Sequence, residues 1–381
     1  MKRAAKLCFV LLLLLSITTG CWDLKEPNQL AFVTGAGLDL TEDGKLEVSV
    51  LVVIPAGLGG EQISAGGKKE SFHVVSATGK NVSDAMVNVQ SKISRVVFSG
   101  HRNIILVGQR LAEHGMGETI DPFLRIPQSE MRSLIYVVKN GQPKDVFSIE
   151  PYFDPIITKS LSDEQKALGL KPYLAREFVI DVLSEGRQPL VPVVSLNPSE
   201  HYSYAGSAIF NKDEGVKLVG FLNKEETSYA RWITDGLSSD TLTSYFPQWD
   251  GNISLTLNSL GRHIRVKKVH EQIQIDVQLT GKGTIIENTT NLDPTKPKDL
   301  QLIQDEFGHK TQKSIQQLIE KVQEEYKMDI FGFGERVHQQ YPHQWKTLKQ
   351  NWTETFQQLH VSVKVDLQWT DPGQTNSSVY P

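Results

Sequence analysis

The stretch HIRVKKVHEQIQIDVQLTGKGTIIE, residues 263–287, carries the clearest periodicity in the chain. Ile273, Ile275, Val277 and Leu279 take alternate positions, with Gln274, Asp276 and Gln278 between them. Successive side chains of a strand point to opposite faces, so this pattern predicts an antiparallel strand with one buried and one wet face. HVSVKVDLQW, residues 360–369, repeats the pattern. Between the two lies NLDPTKPKDL (291–300), rich in turn residues, and then the longest helical signal, from about Asp299 to Met328. Its apolar stripe is Ile315, Leu318, Ile319, Val322 and Tyr326, with Gly308 a candidate point of interruption. About 30 residues of helix would reach about 45 Å.

Working toward the N-terminus, SYAGSAIF (203–210) and GVKLVGFL (215–222) read as short strands. RQPLVPVVSLNPSE (187–200) holds Pro189, Pro192 and Pro198 and reads as the main linker or an edge crossing. A helical stretch is expected from Lys171 to about Glu185. GKLEVSVLVVIP (44–55) places Leu46, Val48, Val50 and Val52 on one face of a strand, and HRNIILVG and SLIYVVKNG read as short buried strands. Between the first of these and the others, Val82, Ala85, Met86, Val89 and Ile93 form a helical stripe. Residues 111–130 predict a helix broken by Pro122 and Pro127. Strand alternating with helix here, and strands flanking a long helix downstream, give an α+β class: several mixed-sheet-plus-helix modules in a row. The expected division is 1–20, a removed signal; 21–197, an N-terminal region of one or two modules; 198–371, a C-terminal region; and 372–381, a polar tail.

The chain has 381 residues, of which 39% are apolar and 22% charged, an ordinary globular composition. Its 40 basic and 44 acidic side chains give a formal charge of −4, without the basic excess of a nucleic-acid binder. The first 20 residues place Lys2, Arg3 and Lys6 before a short apolar run and end in Thr18, Thr19 and Gly20, followed by Cys21. The run is shorter than a membrane span and has the form of a secretory signal. Gly20-Cys21 fits a lipoprotein cleavage site, though Thr18 stands where Leu, Val or Ile is usual. Cys8 leaves with the signal, so Cys21 is the single cysteine of the mature chain and no internal disulfide can form. Lipidation of Cys21 is the expected chemistry, since a terminal thiol has no scaffold to activate it for catalysis. After cleavage 37 basic side chains face 44 acidic ones, a charge of −7.

No residue set has the spacing of a catalytic or metal centre. His338 and His343 are separated by Tyr341-Pro342, which breaks the helix a zinc pair would need. Gly-rich AGLGGEQISAGGKKE (56–70) has Lys69 where a phosphate loop needs Ser or Thr. Ser207 lacks the flanks of a nucleophile elbow. Asp39, Glu42 and Asp43 read as a solvated, hairpin-like turn, with weak calcium binding as the other reading. DIFGFGERVHQQYPHQWKTLKQNWTETF (329–356) stands apart for its aromatics and glycines. Trp345 and Trp352, seven residues apart, lie on one helix face. Core packing is the first reading, an aromatic surface for a partner the second. The FGFG within it predicts a sharp turn.

These segments together resemble the Ger(x)C lipoproteins, the C subunit of spore nutrient germinant receptors. GCWDLKE matches through Cys21, Trp22, Asp23 and Glu26, GAGLDLTEDGKLEVSV through Gly37 and Asp39, and DPFLR through Arg125. AGSAIF with KLVGFLNKEET, and the 329–352 segment with Asp329, Gly332, Gly334, Tyr341, Pro342, Trp345 and Trp352, extend the likeness over the mature chain. The resemblance implies a non-enzymatic subunit without metal or cofactor. It would be lipid-anchored on the outer face of the membrane, at the inner membrane of the spore, and would partner membrane-embedded A and B subunits. Trp22, Asp23, Trp345 and Trp352 are then the candidate partner-binding residues. Two other classes remain open: an anchored solute-binding protein that takes the nutrient itself, and an anchored wall or cortex hydrolase, which would need paired carboxylates in a cleft.

Overall fold

A computed structural model of the chain describes residue 3 and residues 26–54, 71–119, 131–197, 201–270 and 272–371. Cys21, Trp22, Asp23, the 56–70 loop and Arg125 lie outside the described residues.

The chain enters through a 3-10 turn, Pro27–Gln29, into β1 (Leu30–Leu40), then β2 (Leu46–Val53), β3 (Phe72–Gly79), α1 (Val82–Gln90), β4 (Val96–Phe98) and β5 (Ile104–Gly108). Next come α2 (Gln109–His114), β6 (Leu134–Lys139), α3 (Pro143–Phe147), α4 (Ile157–Ala167), α5 (Ala175–Leu183) and β7 (Leu190–Leu196). β8 (Tyr202–Asn211) and β9 (Lys217–Leu222) precede α6 (Lys224–Ile233). The rest is β10 (Asp240–Phe246), β11 (Gly251–Val269), β12 (Gln272–Asn288), α7 (Pro297–Lys321), α8 (Phe333–Gln340), α9 (Pro342–Leu348), α10 (Trp352–Gln357) and β13 (His360–Asp371).

Among the described residues the strands form two sheets. The larger, nine-stranded one runs β3-β2-β1-β5-β6-β7-β8-β9, with β4 also on β1. Its middle is parallel: β1 with β5, β5 with β6, β6 with β7. Helices cover both faces, so β5 and β6 read as unbroken apolar runs. On one face Val107 and Val137 meet Val89 of α1, Leu111 of α2 and Phe178 of α5. On the other, Leu106 and Tyr136 meet Phe147 of α3 and Leu161 of α4. The smaller sheet, β10-β11-β12-β13, has one covered face and keeps the alternating pattern. α7 lies on it, and its Ile303, Phe307, Ile315 and Ile319 share a core with Ile275, Val277, Val363 and Val365.

β12 has the expected alternation and pairs antiparallel with β11, but its other neighbour β13 is parallel, in register from Gln274–His360 to Thr284–Asp371. A parallel pair needs a long crossover, and α7 to α10 supply it. Gly308 does not interrupt α7. It lies on β13, where a Cβ would sit 3.5 Å from the Val365 carbonyl oxygen. The helix instead closes through a π turn, Val322–Tyr326, and Lys327 in the left-handed region at φ 58°.

Two expectations are corrected. The proline-rich 187–200 stretch is not a linker. It contains β7, which pairs with β6 and β8 inside the larger sheet. Pro192, which cannot donate to a ladder, sits just before the β6 pairing begins at Val193 and beside a bulge at Val193–Val194. The sheet therefore continues from β7 into β8, on either side of position 197. The helix expected from Lys171 begins at Ala175, and a further helix, α4, precedes it. β1 is a central strand that its Gly35 and Gly37 obscured. Both are glycine for space: a Cβ would stand 2.6 Å from Phe147 Cε1 and 2.4 Å from Pro143 Cβ, so α3 packs directly on the β1 backbone.

Candidate functional site

After the π turn the chain drives Asp329 into the interior, where it is 3% exposed. Its Oδ1 accepts the backbone N–H groups of Phe331, Gly332 and Phe333 at 3.2, 2.9 and 3.1 Å. Its Oδ2 accepts the Gly334 N–H at 2.8 Å and the Trp352 indole N–H at 3.0 Å. Gly332, at φ 75°, supplies the left-handed step that wraps the chain round the carboxylate and opens α8. Donors at the start of α8 also favour a negative charge there. Burial still dominates and raises the carboxyl pKa, with the N–H donors pulling it back.

Trp345 and Trp352 meet edge to face, 5.1 Å between centroids, and are 1% and 7% exposed. Both press on Gly334, where a Cβ would stand 2.7 Å from the Trp352 ring and 2.8 Å from the Trp345 ring. These rings are turned inward and offer little surface to a partner; core packing is the arrangement observed. What Trp345 does reach is Glu185, just past α5. Its indole N–H donates to Glu185 Oε2 at 2.9 Å, Lys349 donates to Oε1 at 2.9 Å, and His338 stacks on the Trp345 ring at 5.6 Å. The Lys349 and Trp345 donors hold the Glu185 carboxyl below its ordinary pKa. Beside it, Glu335 N–H donates to Gly186 O at 3.2 Å and Gln188 N–H to Asp329 O at 2.9 Å. Lys212 donates to Arg187 O at 2.8 Å and to Ser184 O. Residues 185–188 are thus stitched to the aromatic segment of the C-terminal region.

The stitch continues inward through charge. Arg187 pairs with Asp181 at 3.3 Å, Tyr173 donates to Asp181 at 2.7 Å, and Arg231 lies over the Tyr173 ring at 4.7 Å. Arg231 also donates to Leu190 O at 2.6 Å. None of these residues stood out in the sequence, because their roles come from contacts across the fold and no spacing marks them.

Asp39 departs from the solvated turn expected of it. It is buried, accepts N–H groups of Leu40 at 2.8 Å and Leu111 at 3.3 Å, and so caps the start of α2, with Arg110 at 3.8 Å. Burial raises its pKa. Glu42 and Asp43 are at the surface. Among the described residues no group of three His, Cys, Asp or Glu side chains is placed to hold a metal ion. His338 and His343 fall on separate helices, as Pro342 dictates.

A second arrangement lies between α4, β8 and α6. Glu164 Oε2, Gln165 Nε2, Tyr204 Oη, Ser207 Oγ and Thr227 Oγ1 are buried without a well-formed hydrogen bond, though Tyr204 lies in reach of Ser207 and Thr227, and Gln165 in reach of the Tyr136 hydroxyl. Tyr204 is the hub, facing Ser207, Thr227 and the Glu164 carboxyl. Burial pushes Glu164 up to about 7, against the pull of the Tyr204 backbone and Lys224. Burial and the nearby Glu164 push Tyr202 up to about 12. Tyr204 also forms part of the wall of a cavity of about 390 Å³, with Lys224, Glu225, Tyr229, Asp240 and Lys310. Of these groups only Tyr204 lines that cavity, whose wall of hydroxyl, carboxyl and ammonium groups suits a small polar molecule.

Residues 23–196 match the family described as "Spore germination protein N-terminal domain", and residues 205–373 match "Spore germination B3/ GerAC like, C-terminal". The chain belongs to the GerAC-like family of spore germination proteins. "Putative spore germination protein YfkR" of Bacillus subtilis (strain 168) is 23% identical over 372 residues, 95% of each chain. "Spore germination protein B3" of the same organism is 26% identical over 367 residues, covering 93% of this chain and 94% of that one. The crystal structure of the GerBC protein shares the fold, with a TM-score of 0.57 and 19% identity over 92% of this chain and 100% of that one. In this GerAC-like chain the two matched regions are not separate bodies. β7 of the first pairs with β8 of the second, and the Asp329 knot of the second grips residues 185–188 of the first.

Asp329→Asn keeps the shape but turns an amide donor toward the Gly334 and Trp352 N–H groups. It is expected to destabilise this GerAC-like fold by about 3 kcal/mol in urea unfolding. Glu164 gives a pH signature. Its folded pKa lies above the ordinary 4.5, so its contribution to stability is full below pH 4.5 and is lost as pH rises through about 7. Glu164→Gln, uncharged throughout, is expected to gain on the wild type by about 2–3 kcal/mol between about pH 5 and about pH 7.5.

Proposed function

We propose that this chain is a lipoprotein subunit of a nutrient germinant receptor, anchored through acylated Cys21 on the outer face of the membrane that bounds the spore core. It works by assembly with membrane-embedded A and B subunits and by relaying their signal, not by catalysis. The observation that carries this reading is the stitch between Glu185–Gln188 and the 329–352 segment, beside a sheet shared by both matched regions. A displacement imposed on one region must move the other, which suits a relay. Relatives named as spore germination proteins match along nearly the whole chain, and the Gly20-Cys21 junction supports the anchor. Among the described residues no helix is long and apolar enough to cross a membrane, so in this reading the acyl chains hold the protein. Two chains are needed for firm attachment, since one alone binds marginally.

Cys21→Ala in the full chain is expected to move the protein from the membrane to the soluble fraction of spores and to weaken the germination response to nutrient. Full membrane retention with a normal response would overturn the anchor.

The polar wall of the cavity that Tyr204 lines favours a second reading, in which the subunit captures a small polar nutrient itself. Calorimetric titration of residues 22–381 with amino acids and sugars decides it. Saturable binding that Tyr204→Phe abolishes supports capture, and heat-silent titration of folded protein leaves the relay.

A further inference from the structure

Phe153 is 99% exposed and Tyr152 beside it 76%. Single exposed apolar side chains are common, but two adjacent rings held out by a fixed loop are not. The loop is fixed on both sides. Pro151 and Pro155 bracket it, Ser160 donates to Asp154 at 2.7 Å, and Ser71 donates to Pro155 O at 3.3 Å. The Tyr152 ring meets His201 edge to face at 5.0 Å.

The position of this loop gives it a meaning. Ser71 precedes Phe72, which pairs with Val53, which pairs with Phe32. Two strand spacings, about 10 Å, therefore separate the loop's attachment from the beginning of β1. Val96, also exposed, pairs with Leu30 at the same end of the sheet. The tether from Glu26 back to Cys21 is five residues, at most about 17 Å when extended. A lipid on Cys21 would thus keep this end of the sheet within about 17 Å of the headgroups. The mature charge of −7 gives no net attraction to an anionic surface, which favours an apolar second contact over an electrostatic one.

We infer that the sheet end bearing Tyr152 and Phe153 is a second membrane contact, with both rings inserted at the headgroup–acyl boundary of the bilayer beside the anchored N-terminus. This rests on the lipid anchor proposed above. Aromatic rings favour that boundary because they combine an apolar body with polar or polarisable edges. Insertion would set the orientation of the protein on the membrane, which a single point of attachment at Cys21 cannot do alone.

The test imposes the anchor chemically, so that its failure and that of natural lipidation are distinguishable. The mature chain beginning at Cys21 has one thiol, which couples to a maleimide lipid in phosphatidylcholine vesicles. Phe153→Trp, at a fully exposed position, adds an emitter without touching the core. On vesicles with brominated acyl chains the emission added by this new indole is expected to fall by half or more, measured against the wild-type chain coupled in the same way. Equal added emission on brominated and unbrominated vesicles would show the loop in water and overturn the proposal. The Cys21→Ala experiment in spores reports separately on the anchor.

Discussion

A carboxylate buried almost completely would ordinarily be a liability, and the C-terminal half of this protein is organised around one. Asp329 is held by five N–H groups, four from the backbone within five residues and one from an indole. Those donors would be orphans at the start of α8 in its absence, and the carboxylate would be an uncompensated charge without them. Each side requires the other. Glycine at 332 follows from the wrap, glycine at 334 from the tryptophans that close over it. The positions of α8 to α10, and so the crossover that lets β13 lie parallel to β12, depend on the same knot.

The second organising fact is that the larger sheet ignores the division of the chain into two matched regions. Strands β1 to β7 come from the first region and continue into β8 and β9 of the second. α6, capped by Asn223 and Glu226, then leads across to the smaller sheet, where Trp232 donates to Gly261 O and Ile233 O accepts from Arg262. The two sheets share a core through Leu190, Ile209 and Leu222 on one side and Leu255 and Ile275 on the other.

Much of this was legible in the sequence where burial follows a simple period. The alternation of β12 and β13, the apolar runs of β5 and β6, and the stripes of α1 and α7 all appear where expected. Elements with a special neighbour were harder to see. β1 is diluted by glycines that exist to admit α3. α4 buries Thr158 and Gln165 alongside Ile157 and Leu161, so its stripe is half polar. β7 carries a proline that only its ladder position excuses. For the candidate site, Asp329, the glycines and both tryptophans stood out as a group, but not the direction they face. Glu185, Asp181 and Arg231 were invisible, since their roles arise from contacts across the fold. Asp39 looked like a turn residue because it borders one, while its side chain turns back to cap α2.

The place of β1 has a mechanical side. It is the first strand among the described residues, yet it lies inside the sheet, antiparallel to β2 and parallel to β5. A pull on the N-terminus runs along β1 and loads its ladders in shear, many hydrogen bonds at once, whereas an edge strand pulled sideways would unzip one bond at a time. The body therefore resists being peeled from whatever holds its first residues, and force entering there is distributed across the sheet's centre.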